Sequence, residues 1–368
     1  MEEKLLPSRL LLENGKEFKG YSFGYEGNVE ERRGGLEVVP FRGSVGYPEM
    51  LTDASFAGKI VVATYPIIGS YGAIKEEVEN GISLSYEGLK SYIGALVVKD
   101  YSLEYSHWNA TQSLSSWLKK EKVRAICGVD TREIAKILRE EGMLRGQILL
   151  EGESPKPFVN AQEENFNYVK EVSCKEIIRY GEGKEKKRVC VVDCGVKHNI
   201  LRHLIKRNVE VIRVPFDYDF NTFDFDGLII SNGPGNPELC TETIGNLKKY
   251  LSSGHNNPLL GIGLGHELLA LSIGAKVQKM KIGHHSATES IKCTKFEKCF
   301  ISWQNHSYVV DGESIPEDWV VTFVNLNDGT IEGMKHKEKN YSSIQFHPES
   351  SKTETDMQFL FDDFVKGL

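Results

Sequence analysis

The sequence has no CxxC pair. Its seven cysteines are an odd number scattered over 368 residues, which supports neither a disulfide framework nor a zinc site. It also has no uninterrupted apolar run of bilayer-spanning length, and the opening MEEKLLPSRL lacks the basic start and apolar core of a signal peptide. A soluble chain in a reducing compartment, the cytoplasm, is the expectation. Positive charge is not in excess either. The net charge of -7 gives no overall attraction for a polyanion, so neither nucleic acid nor an anionic membrane is an expected partner. The one basic stretch, GEGKEKKRVC at Gly181 to Cys190, reads as a solvated linker. Cys190 and Cys194 are four apart around a predicted strand and should face one side as small buried hydrophobes.

What is present is enough apolar residue (40%) and charge (26%) for an ordinary globular protein, and enough length for two domains. The first half, residues 1–150, reads as an α+β domain. SRLLLENGKEFKGYSFG predicts a hairpin around Asn14-Gly15, ATQSLSSWLKKEK a helix, and DTREIAKILREEG another, capped by Asp130 or Thr131 and stopped by Gly142. Residues 151–187 are polar and broken by Pro155 and Pro157, an interdomain connection with one short element around VSCKEII. Residues 188–368 change rhythm. KRVCVVDCG, VEVIRVPF, FDGLIISNGPG and PLLGIG are strands, alternating with the helical HNILRHLIKRN, TETIGNLKKYLSSG and HELLALSIG. That alternation specifies a mostly parallel sheet flanked by helices, with ligands at the carboxyl ends of its strands.

Three segments could carry chemistry. Gly261-Ile262-Gly263-Leu264-Gly265 has the spacing of G-x-nucleophile-x-G, where glycines allow a sharp strand-to-helix turn that projects the central side chain. The central residue here is Gly263, and glycine-rich turns also serve plain packing. In SSIQFHPES, His347 and Glu349 leave one face of an extended segment, so the carboxylate can orient the imidazole as in a catalytic triad. In SNGPGNP, Gly233 and Gly235 can bring backbone N–H groups to an anion, although a tight turn explains them as well. No GK[ST] follows, which excludes a P-loop. His284, His285 and His306 show no ligand spacing with acidic partners, so no metal is assigned.

Together and in this order, SNGPGNP, GIGLGHELLAL and QFHPES resemble the class I glutamine amidotransferase domain. GYPEMLTDASFAGKIVVATYPIIGSYG, HWNATQSLSSWL and GVDTREIAKILREEGMLRGQI in the first half, with DCGVKHNILRHL, GAKVQKMKIGH and QNHSYVVD in the second, extend the resemblance to the carbamoyl-phosphate synthase small subunit over essentially the whole chain. The resemblance implies an amino-terminal domain packed against a large subunit. It also implies a Cys-His-Glu triad that hydrolyses glutamine, and ammonia passed through a tunnel to that large subunit. ATP and metal would belong to the large subunit, leaving this chain without a cofactor. The implied His and Glu fall on His347 and Glu349, and the Cys falls on Gly263.

A γ-glutamyl thioester needs a thiolate, which Gly263 cannot supply. The resemblance marks further departures. The Gln after the elbow His is Glu267, which adds negative charge near the place of the substrate carboxylate. The glutamine-contacting Ser aligns with Gly43, and QNHGF is QNHSY, so Asn305 is kept while Ser307 and Tyr308 differ. The GH-x-GGN run is GHHSATES. Leu264 and Gly233 keep backbone amides for an oxyanion, and glutamine binding is in doubt. Three readings stand: a glutaminase-deficient small subunit docked on a large subunit that uses free ammonia, a glutamine-dependent subunit whose Cys was replaced at 263 by engineering, and a non-catalytic binding or regulatory protein that has left the synthase.

Overall fold

The computed structural model describes residues 5–28, 34–43, 46–158, 166–183, 186–349 and 357–368. It divides into two compact units, the first comprising Met1–Glu79, Ser83–Asn165 and Lys281–His285, the second Asn80–Ile82, Phe166–Met280 and Ser286–Leu368. Among the described residues no helix is long and apolar enough to cross a membrane.

The first unit is built on a closed barrel of the strands Leu6–Leu12, Leu144–Leu150, Leu36–Phe41, Lys59–Ala63, Ala95–Val97, Arg124–Cys127 and Glu17–Ser22, in that order around the ring. The expected hairpin is its opening pair: Leu11 faces Glu17, and the Asn14 carboxamide accepts from the Lys16 N–H across the turn. Both expected helices form. Leu114–Lys120 is capped by Ser113, and Thr131–Glu141 by Asp130, whose carboxylate accepts from the Glu133 N–H. Ile134, Ile137 and Leu138, spaced three and four apart, bury one stripe of the second helix against Leu10, Val38 and Ile60 of the barrel.

The second unit holds a ten-stranded sheet in the order Ile178–Tyr180, Glu210–Pro215, Arg188–Asp193, Gly227–Ile230, Leu259–Ile262, Tyr341–Ile344, Ile331–His336, Trp319–Asn325, Val277–Cys293 and Cys299–Val310. The strands from Glu210–Pro215 through Tyr341–Ile344 are parallel. This is the sheet expected from the alternation, and antiparallel pairing extends it on both sides. Successive residues of one central strand enter different cores. Cys190 and Val192 pack with the helices Thr241–Ser252 and Leu264–Ser272, while Val189 and Val191 pack with His198–Lys206 and Phe359–Lys366. A strand buried on both faces has no polar side to show, hence its continuous apolar run. Cys190 and Cys194 both lie in the first of these cores.

The 151–187 segment contains more than one short element. Helix Tyr168–Val172, capped by Asn167, and strand Ile178–Tyr180 both occur there, the strand pairing with Glu210–Pro215. Five- and three-residue elements leave no readable period between turn-forming residues. In the basic run, Lys187 and Arg188 are exposed and Lys187 pairs with Asp226. Residues 184 and 185 lie outside the described residues.

The strand-to-helix corner depends on close approach of two backbones. A Cβ on Gly265 would stand 2.1 Å from the Ile230 carbonyl oxygen, whereas one on Gly245, within helix Thr241–Ser252, would meet nothing within 4 Å. Gly265→Ala should therefore lower stability by at least about 1–3 kcal/mol through backbone displacement. Gly245→Ala should raise it by up to about 1 kcal/mol through helix propensity. Urea unfolding midpoints check both, and equal effects would contradict the assigned packing.

Candidate active site

Strand Leu259–Ile262 runs into helix Leu264–Ser272 with one residue, Gly263, between them. Its φ of 58° and ψ of -115° lie where a side chain is strained by roughly 1–3 kcal/mol and glycine is not. The corner is held by its own hydrogen bonds: the Gly263 N–H donates to the Ile344 carbonyl at 2.9 Å, and the His266 N–H donates back to the Gly263 carbonyl at 2.9 Å. A Cβ built on Gly263 would stand 3.4 Å from His347 Cε1 and 3.2 Å from Asn232 Cβ. Position 263 therefore faces the imidazole that the sequence pairs with it, and a side chain there would touch it.

His347 is buried, with Nδ1 2.9 Å from Glu349 Oε1. Its N–H donates to the Trp303 carbonyl at 2.9 Å, fastening the segment to strand Cys299–Val310. Nε2 is buried and has no hydrogen-bond partner among the described residues. Because Nδ1 faces a carboxylate, the proton belongs on Nδ1 and the Nε2 lone pair points away from it. This arrangement suits a general base.

Glu349 is fully buried, and Lys197 Nζ lies 3.3 Å from Oε1. Burial opposes its ionisation, but Lys197 and His347 outweigh that and hold the carboxyl down at about 2. The Asn199 carboxamide donates to the Glu349 backbone carbonyl. Sequence reasoning missed Lys197 and Asn199. Both lie in DCGVKHN, a loop and helix start with no periodicity to single them out. It also missed Asn232, which accepts from the Lys197 N–H at 3.1 Å and donates to the Gly195 carbonyl at 3.1 Å. The same loop is braced by Asp193, which takes N–H groups from Cys174, Gly195 and Val196 and a two-pronged contact from Arg213.

The remaining expected residues are placed as follows. Leu264 opens the elbow helix, so its N–H is among the first-turn amides that have no carbonyl within the helix. Gly233 is pressed against Cys194 and Leu264: a Cβ there would lie 2.1 Å from the Cys194 carbonyl oxygen and 2.9 Å from Leu264 Cδ2. Gly235, with φ of 90°, turns instead against Tyr168. Glu267 is buried and accepts from Gln345 Nε2 at 3.1 Å, so its carboxylate is engaged by the segment that carries His347. Asn305 and Ser307 alternate with Trp303 on one face of strand Cys299–Val310, and Tyr308 is on the other. Gly43 belongs to the first unit, after strand Leu36–Phe41. Cys240 is wholly buried in the core, its thiol pushed up to about 12 by burial and by Glu242 and Glu267. It is no substitute nucleophile.

Removing Lys197 leaves Glu349 as a buried charge whose remaining side-chain partner among the described residues is the imidazole. Lys197→Met should therefore lower stability by about 3–5 kcal/mol at neutral pH. The folded carboxyl is depressed from the ordinary 4.5 to about 2, so its contribution is complete above pH 4.5 and disappears as pH falls toward 2. Denaturant unfolding across that window should show this loss in the parent chain and a smaller one in Lys197→Met.

Two family models match the chain: "Carbamoyl-phosphate synthase small chain, CPSase domain" over residues 10–148 and "Glutamine amidotransferase class-I" over residues 190–367. The carbamoyl-phosphate synthase [ammonia], mitochondrial, of Aquarana catesbeiana is 42% identical over 368 residues, covering 99% of this chain and 24% of the relative. The multifunctional protein CAD of Squalus acanthias is 43% identical over 97% of this chain and 16% of the relative. The chain thus spans a quarter or less of these long proteins. The carbamoyl phosphate synthase arginine-specific small chain of Saccharomyces cerevisiae is 41% identical, with 97% of this chain and 87% of the relative covered. Among solved structures, a glutamine amidotransferase from Thermotoga maritima is similar at 16% identity, with a TM-score of 0.38 and coverage of 45% of this chain and 77% of the other. With both halves matched and a separate small chain paralleled over nearly its full length, the chain belongs to the carbamoyl-phosphate synthase small-chain family.

Proposed function

We propose that this chain is a glutaminase-deficient small subunit that docks on the large subunit of a carbamoyl-phosphate synthase, leaving that partner to use free ammonia, bicarbonate and ATP. One observation carries the reading. The base and its orienting acid are assembled beside position 263, and position 263 has no side chain. A glutamine amide cannot be attacked covalently there, and loss of a nucleophile that works as a unit with its base leaves only residual rate. Glu267, buried one helical turn further on, adds an acidic group where a glutamine carboxylate would have to approach. Support for docking is the full-length similarity to a separate small chain. Support for ammonia is that several relatives carry that nitrogen donor in their names. The seven free cysteines suit a reducing compartment such as the cytoplasm.

A second reading has its own observation. The elbow geometry and the His347–Glu349 pair are kept intact, as they would be in a glutamine-hydrolysing subunit with a single Cys→Gly263 replacement. Gly263→Cys separates the two. In the proposed function it releases no glutamate above the parent's residual level, because Glu267, Ser307 and Gly43 also depart from the family pattern. Recovery by several orders of magnitude would establish the second reading instead. At micromolar concentration, co-purification with a large subunit is expected, and failure to associate would leave a binding or regulatory protein outside the synthase.

A further inference from the structure

We infer that a cavity of the second unit, at the end of the parallel sheet opposite Gly263 and His347, binds a small organic anion: a flat apolar body carrying a carboxylate or phosphate head. The cavity lies where strand Tyr341–Ile344 begins, with Tyr341 pairing with Leu259. Gly263 and His347 follow the other ends of the same strands, where Ile262 pairs with Ile344. None of the candidate active-site residues lines the cavity, and its ligand is independent of the proposed function.

The first argument is space. The cavity measures about 420 Å³, within the range of roughly 300–1,000 Å³ usual for small-molecule sites and far above the roughly 10–15 Å³ that one water requires. The second is the floor. Trp319, His336 and Tyr341 stand edge to face in a row, with ring centroids 5.4 Å apart at 82° and 6.1 Å apart at 73°. Trp319 and Tyr341 are only 6% and 1% exposed, so packing holds both rings in place, and Leu251, Ile273 and Pro316 add apolar wall. A bare inorganic ion would leave this surface wet, whereas a flat apolar body covers it.

The third argument is charge. Around the cavity the carboxylate is already engaged and the cations are not. Asp318 Oδ2 lies 3.3 Å from His336 Nε2. The N–H groups of Glu338 and Lys339 both donate to His336 Nδ1 at 3.0 Å, so the ring proton sits on Nε2 and faces Asp318. The helices Thr241–Ser252 and Leu264–Ser272 end here, and last-turn carbonyls of both are taken by the chain itself. The Ser253 N–H donates to Lys249 and Tyr250, the Ala275 N–H to Ala270 and the Gly274 N–H to Leu271. The Ser252 and Ser272 hydroxyls donate to the Lys249 and Leu268 carbonyls. By contrast, the ammonium groups of Lys248 and Lys339 form no hydrogen bond or ion pair among the described residues, and the Trp319 indole N–H donates to none of them. Lys339 Nζ lies 5.3 Å from the Tyr341 ring centroid, which sets one positive charge over the aromatic floor. Two cations and an N–H without acceptors select an oxyanion, since carboxylate and phosphate oxygens take several charge-assisted bonds at once. Water leaves both charges uncompensated, and a metal cation is repelled by them.

The test uses the full chain with 15N-labelled tryptophan, the Trp319 indole resonance being assigned by its loss in Trp319→Phe. At fixed pH and ionic strength, benzoate and phenyl phosphate should shift this resonance saturably and leave those of Trp108, Trp117 and Trp303 in place. Whichever binds tighter identifies the head group, and either supports the site. The head without the body, as acetate or inorganic phosphate, and the body without the head, as benzyl alcohol, should bind about tenfold more weakly or worse. Replacing both Lys248→Gln and Lys339→Gln should weaken the aryl anions by about tenfold or more with an unchanged circular dichroism spectrum, and the paired Lys→Arg changes should restore binding. No Trp319 shift with either aryl anion would overturn the inference. So would equal binding of inorganic phosphate or benzyl alcohol, or undiminished binding in the double Gln variant.

Discussion

The site of this protein hangs on one buried carboxylate. Glu349 is removed from water, which by itself would make its charge costly, and Lys197 and the His347 ring do most to make ionisation favourable. Each partner is tied to a different part of the second unit. Lys197 opens the helix His198–Lys206 and its N–H is held by Asn232. His347 is held through its backbone to Trp303. The Glu349 main chain is held by Asn199. A single charge therefore fixes the relative positions of the DCGVKHN loop, the SNGPG loop and the HPE segment. None of these contacts involves a side chain at position 263.

The corner itself is set by backbone packing rather than by that charge. The elbow needs three glycine-like features: close packing at Gly261, at Gly265, and a positive φ at Gly263. A nucleophile at 263 must tolerate strain at the third, and glycine relieves it. Glycine at 263 therefore makes the corner locally easier to form than any residue with a side chain would. The same logic bears on Glu267. Its carboxylate is bound by Gln345, which joins the elbow helix to the segment leading to His347.

Reading forward from the residues, the elbow, the His347–Glu349 pair and the parallel strands were legible because each follows from a local rule. A continuous apolar strand, a glycine triplet at a strand-to-helix junction, and two polar residues two apart in an extended segment all have short-range signatures. The helix cap at Asp130 was legible for the same reason. Lys197, Asn199 and Asn232 were not, since polar residues in loops look solvated until the chain buries them. The long strand Val277–Cys293 was also hidden. Its alternation is irregular, and its residues 281–285 group with the first unit while its ends belong to the second. No one-dimensional boundary could assign it.

The sequence alone determined which residues are available: a glycine at the strand-to-helix corner, a histidine and a glutamate two apart in an extended segment, and an acidic residue one turn beyond the corner. These are facts of composition and short-range geometry. Tertiary structure decided what they face. Residues 84 apart in sequence, Gly263 and His347, meet because strands Leu259–Ile262 and Tyr341–Ile344 pair in parallel with Ile262 beside Ile344. Lys197 becomes a partner of Glu349 only because the intervening chain folds back to bury both. Register and burial arise from long-range pairing that no local pattern encodes, and they set the His347–Glu349 pair against the glycine corner.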